Sequence, residues 1–495
     1  MKKLGVLLMG FLVNVSAWGN EGSFMDSVDG FFGLIVKYFA PLLFWTVPII
    51  QLPFILTVMV FGGIFFTFRY GFVNVRFFGH SINIIRGKYD DPNDAGHISH
   101  FQALTSALSA TVGLGNIAGV AVAIGAGGPG AVFWMWIVAF FGMSMKFSSC
   151  TMAQLYRRVD KDGHVLGGPM VYLQEGFKEI NKPLLGKIFA YFFAFTCIFA
   201  SFGGGNMFQA NQTFELLSGQ FPVLKDYPLV VGVVLAIFAG IVLIGGITRI
   251  GKVTGKMVPL MCAFYCATCL TIIFSNYEKI PEMFLSIVNS AFAPGAMYGG
   301  FIGVLIQGVK RASFSNEAGL GSAAMAHAAA KTKEPVREGI VAMIGPFIDT
   351  HLVCTMTALT ILITGVHLDP ALAGKGALMT AAAFGTLGSM MPMALTIATA
   401  IFAYSTIISW SYYGECATEF VFGRKAIKYY RMVYVLVICI GPIVSLGNVI
   451  DFADLLLLSM AFPNIIGMMI LSGTVKGKIE DYARRKKIGF KIYQP

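Results

Sequence analysis

Apolar runs of membrane-crossing length recur along the chain, separated by short charged clusters. That alternation predicts a polytopic all-α membrane protein. About eleven spans follow an N-terminal apolar segment. They lie near Leu42–Phe68, Phe101–Ala126, Gly130–Met152, Gly186–Leu216, Leu229–Ile247 and Lys256–Phe274, and then near Gly300–Ala328, Gly339–Gly365, Leu387–Tyr413, Met432–Leu446 and Phe452–Leu471. Ahead of them, Lys2 and Lys3 precede the apolar stretch Leu4–Val15 and the small residues around Ser16-Ala17-Trp18-Gly19. Residues 1–22 thus read as a secretory signal peptide, with an uncleaved anchor as the alternative. Residues 23–68 then hold an amphipathic interfacial stretch, Phe24–Phe39, and the first span.

Composition agrees with a membrane setting. Of 495 residues 56% are hydrophobic and only 12% are charged, too few charges to cover a soluble domain of this size. The net charge of +11 would suggest nucleic acid as a partner of a soluble protein. Here the basic residues sit between spans, so membrane lipid is the expected partner and nucleic acid is not. If the first of the eleven spans enters from outside, the inner segments hold 27 Lys and Arg and the outer loops only Lys225, Lys279 and Lys375. That asymmetry places the C-terminus, with its basic tail 476–495, in the cytoplasm, and in a bacterium-like cell the inner membrane follows. Most of the eight cysteines lie in or at the ends of apolar runs, which reads as neither a disulfide frame nor a metal site.

Glycine placement carries the functional signal. Thr111-Val-Gly-Leu-Gly-Asn116 sits mid-way along the second span, and Glu317-Ala-Gly-Leu-Gly-Ser322 mid-way along the seventh. The copies are five spans apart and run in opposite directions. This predicts two inverted five-helix repeats, 96–275 and 299–475, each with a broken first helix. An unbroken helix satisfies its own backbone and offers nothing to a solute. Unwinding at Gly113, Gly115, Gly319 and Gly321 would free carbonyls for a cation and N–H groups for a carboxylate. The plainer alternative is glycines that only let helices approach closely. Asn116 and Asn316-Glu317 beside both motifs favour a binding site. No HExxH or plausible GxSxG supports an enzyme, and no repeated pore filter supports a channel.

At these residues the chain resembles the alanine or glycine:cation symporter family of the amino acid–polyamine–cation transporter superfamily. The matching stretches run from His100 to Ser144 through ATVGLGNIAG, from Gln307 to Thr332 through SFSNEAGLGSA, and over Ser409–Glu415 as SWSYYGE. The resemblance implies sodium- or proton-driven symport of small neutral amino acids such as alanine and glycine, with glutamine-type substrates as a further alternative, no resident cofactor, and sodium as the coupling ion. The sequence departs from the family at Leu114, where Thr is common, and at Ala324-Met325, where Pro-Ile is common. Leu114 would remove a hydroxyl beside the substrate.

Candidate roles follow. Substrate contacts are expected from Gly113, Leu114, Gly115, Asn116, Gln209, Phe314, Glu317, Gly319 and Trp410. Cation ligands are expected from Ser109, Thr111, Val112, Asn116, Ser315, Ser405 and Thr406, with the freed carbonyls of Ser109–Val112 foremost. For each hydroxyl the alternative is a bond back to its own helix. For Phe314 it is ordinary core packing, and for Trp410 an interfacial belt. Glu317, costly at mid-membrane, is expected either to couple and gate or to pair with Lys310 or Arg311. Asn206 and Asn211 accompany Gln209. His327 reads as gate or packing, Asp349 and His351 as a poor metal pair, and Lys146 as a snorkelling side chain.

Overall fold

The computed structural model describes residues 21–48, 51–91, 94–292 and 300–488. Almost all of the signal-like segment and the last seven residues of the basic tail lie outside them.

The described chain is nearly all helix, because an apolar segment in lipid can satisfy its backbone only within itself. In order the labelled helices are α1 (Glu21–Leu43), α2 (Phe54–Arg69), α3 (His100–Thr111), α4 (Leu114–Gly127), α5 (Gly130–Tyr156), α6 (Pro169–Glu179), α7 (Pro183–Phe202), α8 (Phe208–Gln220), α9 (Pro228–Leu243) and α10 (Gly246–Ser275). They continue as α11 (Ile280–Phe292), α12 (Gly300–Asn316), α13 (Ala323–Ala328), α14 (Pro335–Ala342), α15 (Thr355–Thr364), α16 (Gly376–Gly385), α17 (Met391–Phe422), α18 (Ile427–Ile440), α19 (Leu446–Ile470) and α20 (Ser472–Ile488). One small antiparallel hairpin, Arg158–Val159 against Val165–Leu166, interrupts them, with Arg158 opposite Leu166.

Local chemistry sets several boundaries. Proline, already lacking the N–H that a first helical residue cannot use, opens α6, α7, α9 and α14. Ser99 and Gln102 form a reciprocal capping box that starts α3. The expected single span Leu42–Phe68 is two pieces. Helix α1 ends at Leu43, Thr46 bridges to Pro53, and α2 begins at Phe54. A hydropathy window reads straight through Pro48 and Pro53, whose rings and missing donors stop a helix.

Seven helical stretches are long and apolar enough to cross a bilayer among the described residues: α3–α4, α5, α7–α8, α10, Pro335–Thr364, α17 and Gly447–Ile470. Four shorter apolar helices accompany them. This is a multi-pass membrane protein. The α3–α4 stretch is its axis, with 94% of its most apolar 18-residue window buried, whereas the same measure for α10 is 33% and α10 turns much apolar surface outward. Helices α12, α5 and α17 pack around that axis, and α19 packs along α1, α2 and α7.

Two wide-turn π segments are inserted in otherwise regular spans. Gly203–Met207 joins α7 to α8, and Phe347–Cys354 precedes α15. Such segments shift which residues face inward and occur frequently at functional sites.

Candidate functional site

Both expected helix breaks are present, and their halves lie side by side. The first separates α3 from α4 at Val112 and Gly113. Asn116 turns its side-chain oxygen back to the Gly113 N–H at 3.4 Å, and Thr357 donates to the Asn116 carbonyl at 2.8 Å. The second separates α12 from α13. Gly319 and Gly321 have φ of +85° and +86°, and Glu317 itself has φ +53°. A glutamate in that left-handed region is strained and persists only where its surroundings hold it.

Side chains from neighbouring helices meet several of the groups at the second break. Lys146 of α5 donates to the Asn316 carbonyl at 3.0 Å, and Asn464 of α19 donates to the Gly319 carbonyl at 2.7 Å. Tyr172 of α6 bonds the Asn464 side chain in turn. Trp410 Nε1 donates to one Glu317 carboxylate oxygen at 2.9 Å, and Ser322 donates to the other.

These contacts correct the snorkelling reading of Lys146 and set aside the alternatives for Glu317 and Trp410. Glu317 is not held by Lys310 or Arg311. Arg311 pairs with Asp454 of α19, and the Lys310 ammonium sits 4.3 Å from the Phe44 ring centre. Helical neighbours in sequence lie on the wrong side of the unwound segment, while α17 and the break itself bring donors to the carboxylate. Lys146 does not snorkel to a surface. Helix α5 runs ten residues past it to Tyr156, so its head is buried at the second break. Trp410 is buried and bonded to Glu317, so it is no belt residue.

A small pocket opens where the breaks meet. Its walls come from Ala110, Thr111, Gly113 and Gly115 of the first break, Phe314 and Glu317 of the second, Gly204 and Gln209 of the fourth span, Trp410, and Leu457. Close approach explains the glycines. A methyl at Gly205 would meet Trp410 at 2.3 Å, and one at Gly115 would meet the Phe314 ring at 3.1 Å. Phe314 is fixed edge-on by Phe208, with ring centres 5.0 Å apart, and by the Arg311 guanidinium 5.6 Å above it. Gln209 donates to the Gly204 carbonyl at 3.0 Å, and its side-chain oxygen, facing Gly113, has no partner among the described residues. The pocket is thus short, walled by aromatic rings, and furnished with one carboxylate and one free amide oxygen.

Of the expected substrate residues, Gly113, Gly115, Gln209, Phe314, Glu317 and Trp410 line the pocket. Leu114, Asn116 and Gly319 do not. Leu114 is fully buried in the core, and Gly319 faces Ile465 and Met145.

The expected cation residues divide between two faces of the first break. On one, Thr406 of α17 donates to the Ser109 carbonyl at 3.0 Å and Ser109 donates to the Ser405 carbonyl at 2.8 Å. Thr406 Oγ1 also stands where a methyl on Gly113 would come within 2.4 Å, so the hydroxyl fills the space at the break. The Ser405 hydroxyl turns back to Phe402. Val112, which ends α3, lies at this break. On the other face are Thr111 and Asn116, whose amide donates to the Asp349 carbonyl at 2.9 Å. Ser315 is nearby and contacts Cys354 at 3.1 Å.

Asn206 and Asn211 hold α18 and the turn after it through Tyr434, Gly441 and Val444 carbonyls. His327 bonds Glu338, which also bonds His100. Sequence reasoning missed Glu338 and gave Ser322 no role of its own. A glutamate beginning an apolar run was the available signal for the first.

The sodium:alanine symporter family model matches residues 40–494. The chain belongs to the sodium:alanine symporter family. It is 45% identical to the sodium/alanine symporter AgcS of Methanococcus maripaludis over 88% of this chain and 95% of that protein. It is also 36% identical to the probable sodium/glutamine symporter GlnT of Bacillus subtilis, over 86% and 87% of the two chains. A solved structure of MhsT in complex with L-phenylalanine shares the fold, with TM-score 0.53 and 15% identity over 76% of this chain and 98% of that one. As a member of a transporter family with this broken-helix pocket, the chain is a multi-pass membrane symporter.

Proposed function

We propose that this symporter takes up small neutral amino acids, alanine and glycine, driven by sodium and by alternating access at the paired breaks. The observation that carries the reading is the junction of the two breaks. There a pocket bounded by Trp410 and Phe314 adjoins carbonyls freed at Ser109–Val112 and reached by the Thr406 hydroxyl. A hard monovalent cation takes oxygen ligands, and Ser109, Val112, Ser405 and Thr406 supply them from two helices that must move relative to one another. Bound sodium would therefore tie α3 to α17 and shape the pocket for substrate. In the pocket Glu317 faces the substrate ammonium, and the N-terminus of α4 offers N–H groups to its carboxylate.

Size selection follows from the packing around Trp410. Gly205 lets the Trp410 ring close over the site, so each added methylene on the substrate meets an aromatic wall. The substrate class named for the GlnT relative is a larger side chain and is the comparison to make.

The orientation proposed from loop charge, with the C-terminus in the cytoplasm, makes uptake the physiological direction. The test is uptake of labelled alanine into liposomes holding the purified protein, with and without an inward sodium gradient, in competition with glycine and glutamine. Sodium-driven alanine uptake blocked by glycine supports the reading. Uptake that ignores sodium but follows a proton gradient replaces it with proton coupling. Preferential block by glutamine replaces the substrate.

A further inference from the structure

The short hairpin between α5 and α6 holds one side chain out toward α17. Asp160 Oδ1 accepts from the backbone N–H groups of Asp162 at 3.0 Å and His164 at 2.8 Å, which fixes the turn. His164 Nε2 then donates to both carboxylate oxygens of Glu419, at 2.9 and 3.1 Å, in the last turn of α17. Asp160 itself stands 3.8 Å from Arg424, just past the end of that helix. We propose that the hairpin is a clasp on the cytoplasmic side of the pocket, and that His164 and Glu419 are the gating pair that parts before solute leaves inward.

The opposite side of the hairpin is fixed by backbone. The Val165 N–H donates to the His97 imidazole at 3.2 Å, and the His97 N–H donates to the Ala329 carbonyl at 2.7 Å. His97 lies just before α3 and Ala329 just after α13, so the hairpin is tied to the inner ends of both broken helices. A methyl at Gly167 would come within 2.4 Å of Ala328, and one at Gly168 within 2.5 Å of Met325, so the chain leaving the hairpin lies directly on α13. Further bonds join these inner ends to one another. Arg157 donates to the carbonyls of Ala95, Ala328, Ala330 and Thr332, and Glu338 bonds both His100 and His327.

This asymmetry identifies the joint that moves. The pocket is walled by α17 at Trp410 and by both helix breaks, so a solute moving inward passes between α17 and the inner halves α3 and α13. Among the described residues, the ion contacts from the hairpin to α17 and its following turn are His164–Glu419 and Asp160–Arg424. The His164 and Glu419 side chains are 30% and 13% exposed. Partly solvated ion contacts are weak and exchange readily with water, whereas buried backbone contacts are costly to leave unpaired. The hairpin therefore travels with the inner halves, and the His164–Glu419 contact opens.

The inference rests on the alternating-access reading, and the experiment separates the two. In the purified full-length protein, the double variant His164→Cys/Glu419→Cys is bridged in detergent with a short bis-methanethiosulfonate linker, checked by mass spectrometry of the linked peptides, and placed in liposomes. Wild type and both single variants receive the same treatment. Sodium-driven alanine uptake by the bridged protein should stop and should return when dithiothreitol cleaves the linker. Uptake by the bridged protein at the unbridged rate overturns the clasp. A second measurement decides if the double variant is inactive before bridging. Met325→Cys places a thiol beneath Gly168, and its labelling by N-ethylmaleimide without sodium or alanine should be about threefold faster when Glu419→Gln is added, as expected for loss of a partly exposed ion contact. Equal labelling rates overturn the clasp. A wild type that takes up no alanine overturns the symport reading, and the labelling rates still judge the clasp.

Discussion

At the residue scale the site depends on a few groups whose partners are fixed by burial. Thr406 fills the space beside Gly113 and reaches across to the Ser109 carbonyl. Replacing it with valine keeps the shape but leaves that carbonyl unpaired, a loss of about 1–3 kcal/mol. The half-saturating sodium concentration for alanine uptake should rise roughly tenfold in Thr406→Val, one decade per ~1.4 kcal/mol. It should return close to wild type in Thr406→Ser. Trp410→Phe keeps an aromatic wall but takes the donor from one Glu317 oxygen. Alanine affinity should then drop by about tenfold or more, read as KM in liposome uptake, because the carboxylate turns toward other donors and away from the pocket. Residue types with an obvious chemical purpose were legible in the sequence: the glycines, Asn116, Gln209, Trp410. Lys146 was not, because a lysine near an assumed helix end looks like a snorkelling one. Only the true length of α5 shows it buried at the second break. The partner of Glu317 was hidden for a related reason, since Trp410 is 93 residues away in sequence.

At the element scale the two breaks were legible because glycine spacing is a backbone statement, and unwinding needs backbones that L side chains resist. Their consequences can be tested against an internal control. Gly321 has φ +86°, and a methyl there would come within 2.6 Å of Pro169 and 2.8 Å of Asn464. Gly119 in α4 has ordinary helical geometry and open space around it. Gly321→Ala should lower the thermal unfolding midpoint and abolish uptake, a cost of about 1–3 kcal/mol from backbone strain alone. Gly119→Ala should be stable and active. Equal behaviour of the two variants in a detergent melt would mean that the second break is not held as the structure shows. The π segments were illegible, since no residue pattern marks a widened turn within a span. A regular 3.6-residue helix puts Asp349 and His351 on different faces and stops there. It gives no sign that Phe347–Cys354 turns Asp349 toward the first break.

At the scale of the whole molecule two buried ionic contacts bracket the pocket. Before the second break, Arg311 of α12 pairs with Asp454 of α19. After it, His327 of α13 and His100 at the start of α3 both bond Glu338 of α14. No sequence pattern joins these residues, which lie 143 and 238 positions apart for the longer contact of each cluster. Because they sit on opposite sides of the second break, opening the pocket toward one side of the membrane must release one and can retain the other. Alternating access then requires the two to be energetically separate. Hydrogen exchange measures this directly. Glu338→Gln leaves the buried His327 without its carboxylate and His100 with only Asp90 at 3.7 Å, and losing one partner of a buried pair costs about 3 kcal/mol or more. Exchange in His100–Thr111 and Ala323–Ala328 should accelerate roughly a hundredfold, with Gly300–Asn316 little changed. Asp454→Asn should do the reverse. If each variant loosens both halves of the broken helix alike, the contacts belong to one rigid unit. Rocking would then have to occur elsewhere, with α3 and α12 moving as whole helices rather than as halves hinged at Gly113 and Gly319.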